Sequence, residues 1–539
     1  MIADRPWRWL TARPSRAAAA VGLVALALAL PRLGDLDGVG HPDEAFYLSV
    51  AADMVDTGHV APSHDGGYIY QKPPLVFWAA RLSMALFGRS GAAARLPGAL
   101  SAALLCAAGA LFAGASLGGE GALLAGLLLC GSLGVVRFGR ELMLDLPLAA
   151  CLTGAFALLP RALEGRRSAL LGAGLLAGIS LGFKGPIGPF LLLVAVAAAL
   201  ALERRLSLLG RPALWGGVAL GSLATLPWYA FMIWAHPREL WEAHVVDQYF
   251  NRFASTHGQP RLGLLWGTLL YAAPFAPIAA VGLWRALTDP ARRSRSHAAL
   301  SWLGAFYLVF GLPEEHGLHY PLLVLPPLAA LAAEAILSGG RAARAAGLAV
   351  AVASSAAGLV ALLGTGFQLA APALIAAALL LLGAGIGWAR PGARAAGLAG
   401  LSTAAAGAVA LAFVAPAFGG PWFPASARPL AEGHPLGALL EHPGPFALEA
   451  GLPVRELWGE GDVLPFLERG GLAIAREHSL DQLSPALRSR LRPLASWRRA
   501  RPYETPDDVL AAFRAHDFSR LEEPCGLYGL APPPRASLP

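Results

Sequence analysis

The sequence predicts an all-α polytopic membrane protein with about thirteen transmembrane helices and a small α/β domain at its C-terminal end. Hydrophobic residues make up 56% of the 539 residues and charged residues only 14%, and the mean hydropathy is +0.53. These values exclude a soluble globular protein of this length. Apolar segments of spanning length recur from Ala17 to Pro416, and then short apolar pieces alternate with arginine, acidic residues and proline.

We place the spans at apolar segments near the ~20 residues that a bilayer requires. They are 16–31, 95–117, 119–136, 145–163, 168–183, 185–202, 213–234, 264–287, 298–312, 320–337, 345–364, 370–389 and 395–416. No small-residue cleavage site follows the first span, so we expect it to be retained as a helix. The predicted domains are therefore a transmembrane domain, 1–416, and a tail, 417–539, in which β-like runs alternate with helices.

Arginine residues occupy alternate connections between these spans. They occur in the N-terminal segment and in the loops 161–167, 204–211, 285–295, 341–344 and 390–394. The positive-inside rule places these segments in the cytoplasm. The opposite side then carries the first loop, 32–94, the loops 235–263 and 311–319, and the tail. We therefore expect a multi-pass protein of the inner (plasma) membrane with its polar chemistry and C-terminal domain on the periplasmic side.

Charge and cysteine content exclude two other classes of function. The net charge of +7 comes from arginines spread over short loops, and they do not form the basic stripe of a nucleic-acid-binding surface. Three of the four cysteines fall within apolar segments and Cys525 stands alone in the tail, so neither a disulfide framework nor a zinc site is indicated. We expect no cofactor and no nucleic-acid partner.

Lysine is nearly absent from this chain. Lys72 and Lys184 are the only lysines among 42 basic lysine and arginine residues. The ammonium of lysine is compact, lies on a flexible stem and binds phosphate as a point charge, whereas the guanidinium of arginine is planar and binds phosphate through donors in a fixed geometry. Both lysines lie on the predicted outer side, where we expect them to bind phosphate. The alternatives are chance and, for Lys184, a position that only caps a helix end.

The first outer loop opens with an acidic helix. Pro42 suits its first position and Gly58 lies just past its end. Asp43 shares a helical face with Tyr47 and other apolar residues, so we expect its carboxylate to point along the apolar side and to act in catalysis. Glu44 is the second candidate catalytic acid. The alternative is that both acids only complement the helix dipole.

The loop continues through an aromatic and basic segment. Tyr68, Tyr70 and Lys72 precede an amphipathic stretch that we expect to lie in the membrane interface. The tyrosines are candidates for substrate binding, although Lys72 alone could simply extend to the interface. In the second outer loop, Asp145 falls where a span begins. An acid there is functional, or it is a helix N-cap before Pro147.

Two further outer segments carry polar residues. HVVDQYFNRF contains Arg252, and EEHGLHYPLL contains His316, His319 and Tyr320. The two histidines lack the spacing of a defined zinc motif, and no HExxH sequence occurs. We therefore favour hydrogen bonding to substrate or structure over metal binding for His319 and Tyr320.

Several short motifs follow one another in a recognisable order. They are the acidic pair Asp43–Glu44, KPP at 72–74, LDLPLA at 144–149, KGP at 184–186, NRF at 251–253 and HYPLLVLPPLAAL at 319–331. Across about residues 16–340 this order resembles the GT-C glycosyltransferases, in the branch that contains the bacterial aminoarabinose (lipid A) transferases and the protein O-mannosyltransferases. The resemblance implies thirteen spans with an outer C-terminal domain.

The resemblance also implies a reaction. A monosaccharide carried on a polyprenyl (undecaprenyl) phosphate is transferred at the outer face to a lipid, glycan or protein acceptor, usually with inversion and without a nucleotide donor. It makes Asp43 the leading catalytic carboxylate and Lys72 and Arg252 phosphate contacts, with Asp145, Lys184 and Tyr320 around the cleft. Fixed cations would stabilise the departing phosphate, and a carboxylate would take the acceptor's proton.

Two departures concern the sugar. The aminoarabinose transferases tend to have arginine where this chain has Phe46, and an acid where it has Gln71, so the pattern does not assign aminoarabinose or lipid A. Two other classes stay open, a lipid-linked sugar flippase or transporter and an oligosaccharide polymerase or ligase. The clear internal repeats and mid-membrane charges typical of a transporter are not evident in the sequence.

Overall fold

The computed structural model describes residues 5–36, 41–253, 262–364, 374–376, 378–379, 392–414, 419–500, 511 and 518–531. Helices dominate the chain up to residue 414. They are α1 (Arg5–Thr11), α2 (Pro14–Ala29), α3 (Pro42–Thr57), α4 (Leu75–Phe87), α5 (Gly91–Cys130), α6 (Leu133–Phe138), α7 (Asp145–Leu163), α8 (Arg167–Lys184), α9 (Ile187–Leu202), α10 (Pro212–Ser222), α11 (Leu226–Ala235), α12 (Pro237–Leu240), α13 (Leu262–Tyr271), α14 (Ala276–Thr288), α15 (Pro290–Arg295), α16 (His297–Gly311), α17 (Leu325–Ser338), α18 (Arg341–Gly364) and α19 (Ala393–Val409).

Tighter and wider helical turns join some of these elements. The 3₁₀ segments of the described residues are Leu206–Gly210, Asn251–Phe253, Tyr320–Val324, Ala425–Ala427 and Phe518–Leu521, and the π-helical segments are Trp241–Phe250 and Ala410–Val414. Tyr320–Val324 runs directly into α17, so the HYPLL motif begins a helix, as expected for the tenth predicted span. The twelfth predicted span, 370–389, falls almost entirely outside the described residues.

Membrane-spanning length can be assessed for the described helices. Four are long and apolar enough to cross a membrane, namely Gly91–Cys130, Asp145–Leu163, Tyr320–Ser338 and Arg394–Ala412. Counting each of three sharply bent helix pairs as one span raises the number to seven. A membrane protein with several helical spans is therefore confirmed, and the number thirteen stays a prediction. Residues 95–117 and 119–136 were predicted as separate spans, and α5 is interrupted between them at Gly118, where φ is 70°.

Glycine allows α8 and α10 to pack almost backbone to backbone. Gly174 and Gly178 on α8 face Gly217 and Gly221 on α10. A Cβ atom on Gly217 would lie 2.1 Å from the carbonyl oxygen of Leu171, too close for any side chain. Small residues spaced four apart are typical of closely packed membrane helices. This contact fixes α8, whose last residue is Lys184.

The segment predicted as the first outer loop folds as two helices around a short hairpin. Helix α3 begins at Pro42 and ends before Gly58, whose φ of 76° suits glycine, so the predicted helix is confirmed. Strands β1 (Ser63–His64) and β2 (Gly67–Tyr68) pair antiparallel before α4. Tyr47 is buried on the predicted apolar face of α3.

The orientation predicted for Asp43 is wrong. Its side chain is 45% exposed, whereas that of the neighbouring Glu44 is 2% exposed. Asp43 lies in the first turn of α3, where His41 caps the helix by accepting a hydrogen bond from the Asp43 backbone N–H. One residue later along the helix the direction has turned by about 100°, which points Glu44 towards the buried Arg95.

A sheet region lies near the C-terminus. Strands β3 (Leu436–Leu439), β4 (Val454–Leu457), β5 (Leu472–Arg476), β6 (Leu491–Ala500) and β7 (Glu522–Leu530) form one sheet in the order β4-β3-β5-β7-β6. The pairs β3–β4 and β3–β5 are parallel, and β5–β7 and β6–β7 are antiparallel. Its helices are α20 (Arg428–Ala431), α21 (Gly444–Ala450), α22 (Glu460–Glu468), α23 (Glu477–Leu480) and α24 (Pro485–Arg490). The helix predicted near 506–521 lies largely outside the described residues.

The sheet region contacts the predicted first outer loop directly. The Gly444 backbone N–H donates to Ser49 Oγ at 2.8 Å, and a Cβ atom on Gly444 would lie 2.2 Å from the Ser49 nitrogen. His64 Nε2 and Glu456 Oε2 are 2.5 Å apart. Helix α3 therefore lies between the helical region and the sheet region, and Asp43 is at its N-terminal end.

Candidate active site

Two acids and two histidines converge from separate parts of the chain. Asp43 Oδ2 lies 3.8 Å from His41 Nδ1 and 4.0 Å from His319 Nε2. Asp145 Oδ2 lies 3.4 Å from the same His319 nitrogen. The rings of His41 and His319 pack edge to face with centroids 4.7 Å apart. The cluster thus joins the start of α3, the start of α7 and the segment before α17.

Burial distinguishes the members of this cluster. Asp145 and His319 are buried, and Asp43 is the most exposed of the four. Burial lowers the pKa of His319 and that of His41, which favours the neutral form of both rings. Asp43 is therefore the more accessible of the two carboxylates of the cluster.

Lys184 links the cluster to a group of cations. Its Nζ donates to Asp145 Oδ1 at 2.6 Å and lies 3.9 Å from the centre of the Tyr320 ring. The Tyr320 hydroxyl accepts a hydrogen bond from Arg252. The alternative reading of Asp145 as a helix N-cap is not observed, since α7 starts at Asp145 itself and the carboxylate bonds to Lys184. Lys184 ends α8, but its ammonium is used in this ion pair.

Lys72 and Arg252 share one acceptor. Gln248 Oε1 accepts from Lys72 Nζ at 2.7 Å and from an Arg252 Nη at 3.4 Å. Burial, together with Lys184 and Arg252, lowers the pKa of Lys72 to about 8. An anion bound between the three cations would stabilise the charged form of Lys72 and offset the repulsion from Lys184 and Arg252. Neutral Gln248 holds the two side chains together without neutralising them.

The three cations line one cavity of about 570 Å³, which we call the basic cavity. Most of its wall is apolar. The apolar residues of this wall include Ile187, Phe190, Val194, Leu308 and Phe310. Cations linked through Gln248 and Tyr320, next to a long apolar wall, suit a ligand that has an anionic head and a hydrocarbon chain.

Lys72 is positioned by a residue that sequence reasoning did not single out. His244, in the π-helical segment, donates from Nδ1 to the carbonyl oxygen of Gln71 at 3.2 Å. Its Nε2 lies 3.2 Å from the Tyr229 hydroxyl. His41 and Gln248 were also missed. A histidine at the N-cap before the acidic pair was a usable signal for His41, whereas nothing local marks Gln248 or His244.

Three predicted residues have other surroundings. Tyr68 and Tyr70 pack against His236, with ring centroids 5.3 and 5.5 Å apart, and neither lines the basic cavity. Both oxygens of Glu44 accept from Arg95 at 2.7 Å, and Oε1 also accepts the Leu142 backbone N–H. The structure therefore gives Glu44 the surroundings of a structural ion pair.

A metal-compatible group also exists at the cluster. His41, Asp43 and His319 each offer one ligand atom, and these atoms lie within 4.8 Å of one another. Imidazole nitrogen and carboxylate oxygen are ligands for zinc and related divalent ions. No zinc-spacing motif in the sequence marks this group, because its members come from distant segments.

Comparisons with known proteins agree with the resemblance drawn from the motifs. The family model for dolichyl-phosphate-mannose-protein mannosyltransferase matches residues 71–233. An undecaprenyl phosphate-α-4-amino-4-deoxy-L-arabinose arabinosyl transferase from Shewanella sediminis is 28% identical over 318 residues, 55% of this chain and 56% of the relative. A homologous transferase from Pseudomonas fluorescens is 28% identical over 313 residues, 54% and 55% of the two chains. The chain thus spans about half the length of the curated relatives it matches.

Solved structures show the fold. The crystal structure of ArnT from Cupriavidus metallidurans bound to undecaprenyl phosphate matches with a TM-score of 0.70 at 19% identity, covering 94% of this chain and 97% of that one. Its apo form matches with a TM-score of 0.69 at 20% identity over the same shares. The expected resemblance to aminoarabinose and O-mannosyl transferases is therefore confirmed, and the helical region and sheet region together follow the ArnT fold.

Proposed function

We propose that this protein is an integral membrane glycosyltransferase that moves a monosaccharide from a polyprenyl phosphate to a hydroxyl-bearing acceptor. One observation carries the proposal, namely that Lys72, Lys184 and Arg252 converge on a cavity whose remaining wall is mostly apolar. A polyprenyl phosphate sugar has the matching combination of charge and hydrocarbon. The names of the sequence relatives, and the undecaprenyl phosphate bound by the solved relative, support the same donor.

The donor is proposed to bind with its phosphate between the three cations. Its hydrocarbon chain would follow the apolar wall past Phe190, Val194 and Leu308. Charge-assisted hydrogen bonds from lysine and arginine are short and strong, and they hold the phosphate at one end of the cavity. The sugar would then lie towards Asp145 and Asp43, because Lys184 bonds to Asp145.

The reaction follows from this placement. The acceptor oxygen attacks the anomeric carbon, the bond from that carbon to the phosphate oxygen breaks, and its electron pair stays on the polyprenyl phosphate. Lys72, Lys184 and Arg252 stabilise the negative charge that develops there. Asp43 takes the acceptor's proton, since it is the exposed carboxylate of the cluster.

The other residues are proposed to position these groups. Asp145 and Tyr320 hold Lys184 and Arg252, and neutral His319 connects Asp145 to Asp43. Glu44 is proposed to support α3 through Arg95 and to take no part in the chemistry. Tyr68 and Tyr70 are proposed to shape the loop and to contact the acceptor or membrane lipids, not the donor.

The topology belongs to the same proposal. Residues 417–539 would form a small α/β domain outside the cytoplasm, and the active site would face the same side of the inner membrane, with about thirteen spans. The observed contact between the sheet region and α3 supports this, because both predicted outer segments are in direct contact. The acceptor class stays open among lipid, glycan and protein.

The test uses purified protein in proteoliposomes with radiolabelled undecaprenyl phosphate sugars and an envelope extract as acceptor. We expect release of undecaprenyl phosphate together with label in the acceptor fraction, and no reaction with a diphosphate-linked oligosaccharide. Turnover of the oligosaccharide alone would establish a polymerase or ligase. Movement of the intact labelled lipid between leaflets without cleavage would establish a flippase and overturn the proposal.

A further inference from the structure

A second cavity, of about 320 Å³, lies between α3 and the sheet region. We call it the arginine cavity. At one end it is lined by His41 and Pro42, and on the side of the sheet region by Trp422, Arg476 and Arg499. His41 is the residue whose Nδ1 lies 3.8 Å from the Asp43 carboxylate. The arginine cavity and the basic cavity therefore approach the acid–histidine cluster from two directions.

Most charged groups of the arginine cavity are already paired. Glu44 binds Arg95, and Arg476 Nε lies 3.0 Å from Glu441 Oε1. Glu456 lies 2.5 Å from His64 and 3.3 Å from His442, and these contacts lower its pKa to about 2 against the effect of burial. The acids of this cavity therefore have basic partners among the described residues.

Arg499 is different. It is only 4% exposed, and no carboxylate of the described residues lies within salt-bridge distance of it. One Nη donates to the Gly420 carbonyl oxygen at 3.0 Å, and the guanidinium lies 3.3 Å from the centre of the Trp422 ring. Its Nε is buried without a hydrogen-bond acceptor in the described part of the chain. Burial, and then the neighbouring Arg476, lower the pKa of Arg499 to about 9. Glu449 and Glu441 oppose this lowering of the pKa by their charge, but neither pairs directly with Arg499.

A buried cation without a direct acidic partner is costly unless something else binds it. The neighbouring Arg476 adds positive charge, and Trp458, which also lines the cavity and is 65% exposed, supplies an open aromatic face of the kind that packs against a sugar ring. The combination of a buried guanidinium with an unpaired Nε, an aromatic wall and an opening towards His41 suits a binding site for an anionic, ring-containing molecule.

We propose that the arginine cavity binds the acceptor through a phosphate or carboxylate group held by Arg499, with the acceptor's hydroxyl directed past His41 to Asp43. This inference rests on the proposed function and extends it to the acceptor, which would be an anionic sugar or glycan. The two anions differ in shape but use the same charge-assisted contacts. Sequence reasoning found no site in the tail, because Arg499 is one of many arginines there.

The test is calorimetric titration of the full-length protein in detergent with glucose 1-phosphate, glucuronate and the neutral methyl glucoside. We expect one or both anions to bind and methyl glucoside not to bind. Preference for glucose 1-phosphate would assign a phosphate group, and preference for glucuronate would assign a carboxylate. Absence of anion binding, or equal binding of methyl glucoside, would overturn the proposal.

Arg499→Gln should weaken anion binding at least about tenfold, the amount expected from losing a hydrogen bond to a charged group. The matched control is Arg498→Gln on the same strand, because Arg498 is 56% exposed and pairs with Glu522. That variant should bind like the wild type. Arg499→Lys should recover part of the affinity. Unchanged binding in Arg499→Gln, or an equal loss in Arg498→Gln, would overturn the assignment.

Thermal unfolding separates binding from a structural role. Removing a buried charge that has no direct acidic partner should leave the melting temperature of Arg499→Gln equal or higher. The anion that binds should raise the melting temperature of the wild type and of Arg498→Gln, but not that of Arg499→Gln. A structural arginine would instead make Arg499→Gln less stable. Donor turnover is measured in parallel: anion binding without donor cleavage would refute the proposed function alone, and cleavage without anion binding would refute the acceptor site alone.

Discussion

Lys184 at the end of α8 and Asp145 at the start of α7 form a 2.6 Å ion pair. The pair places a cation on the wall of the basic cavity and a carboxylate at the acid–histidine cluster. Because Asp145 is buried and Lys184 nearly so, each depends on the other for neutralisation. The two sides of the candidate site are thus coupled by one contact between helix ends.

This coupling predicts the behaviour of Asp145→Asn. Removing the carboxylate leaves Lys184 charged and buried, and breaking a buried pair typically costs about 3–5 kcal/mol of folding free energy. The double variant Asp145→Asn/Lys184→Met removes both charges and should recover part of that loss. Thermal unfolding of the wild type, both single variants and the double variant gives the coupling free energy. Additive losses in the two single variants would mean that Asp145 and Lys184 are stabilised independently, and would contradict the coupling.

Asp43→Asn should abolish transfer while leaving the fold intact. The substitution keeps the side-chain volume at an exposed position but removes the proton acceptor, so we expect a rate lower by about a hundredfold or more with an unchanged melting temperature. Glu44→Gln is the comparison, since it should lower the melting temperature by leaving Arg95 without its carboxylate. A correctly inserted Asp43→Asn protein with the wild-type rate would remove Asp43 from the chemistry.

Lys72→Met should weaken donor binding about ten- to a hundredfold, because a charge-assisted contact to phosphate is lost. Lys72→Arg should rescue it only partly. Titration of undecaprenyl phosphate into detergent-purified variants measures the affinity.

The same lysine predicts a pH dependence. Its lowered pKa of about 8 means that the cation is present below that pH and lost above it, so donor affinity of the free protein should fall between pH 7 and 9. Bound phosphate favours the charged form and shifts the fall to higher pH. Lys72→Arg should flatten the profile. A wild-type profile as flat as that of the arginine variant would return the phosphate role to Lys184 and Arg252.

Gly217→Ala should destabilise the packing of α8 against α10. The added Cβ would lie 2.1 Å from the Leu171 carbonyl oxygen, and such overpacking typically costs about 1–3 kcal/mol. Gly216→Ala is the matched control on the same helix, since its Cβ would meet nothing within 4 Å. Melting temperatures in detergent compare the two variants. Equal melting temperatures of the two variants would mean that α8 and α10 can move apart without a loss of stability.

The ends of helices could be predicted from the sequence where the signal lies within one short segment. Pro42 and Gly58 bound α3, and the apolar pattern separates the two parts of α5 at Gly118. The motif order predicted the relatives that the comparisons found. The orientation of side chains on α3 was harder to predict. Helical periodicity placed Asp43 on the apolar face, and it could not show that Glu44 is buried because it pairs with Arg95 of a distant helix.

The sequence by itself determined that this is a membrane protein with two rare lysines and an acidic pair, since composition and spacing are local properties of the chain. Only the tertiary structure decided which of those residues act together. Lys72 and Arg252 meet through Gln248, 176 positions away from Lys72 along the chain, and Arg499 of the tail reaches the cavity beside α3. Such contacts depend on helix packing and loop docking, for which no single segment carries the pattern.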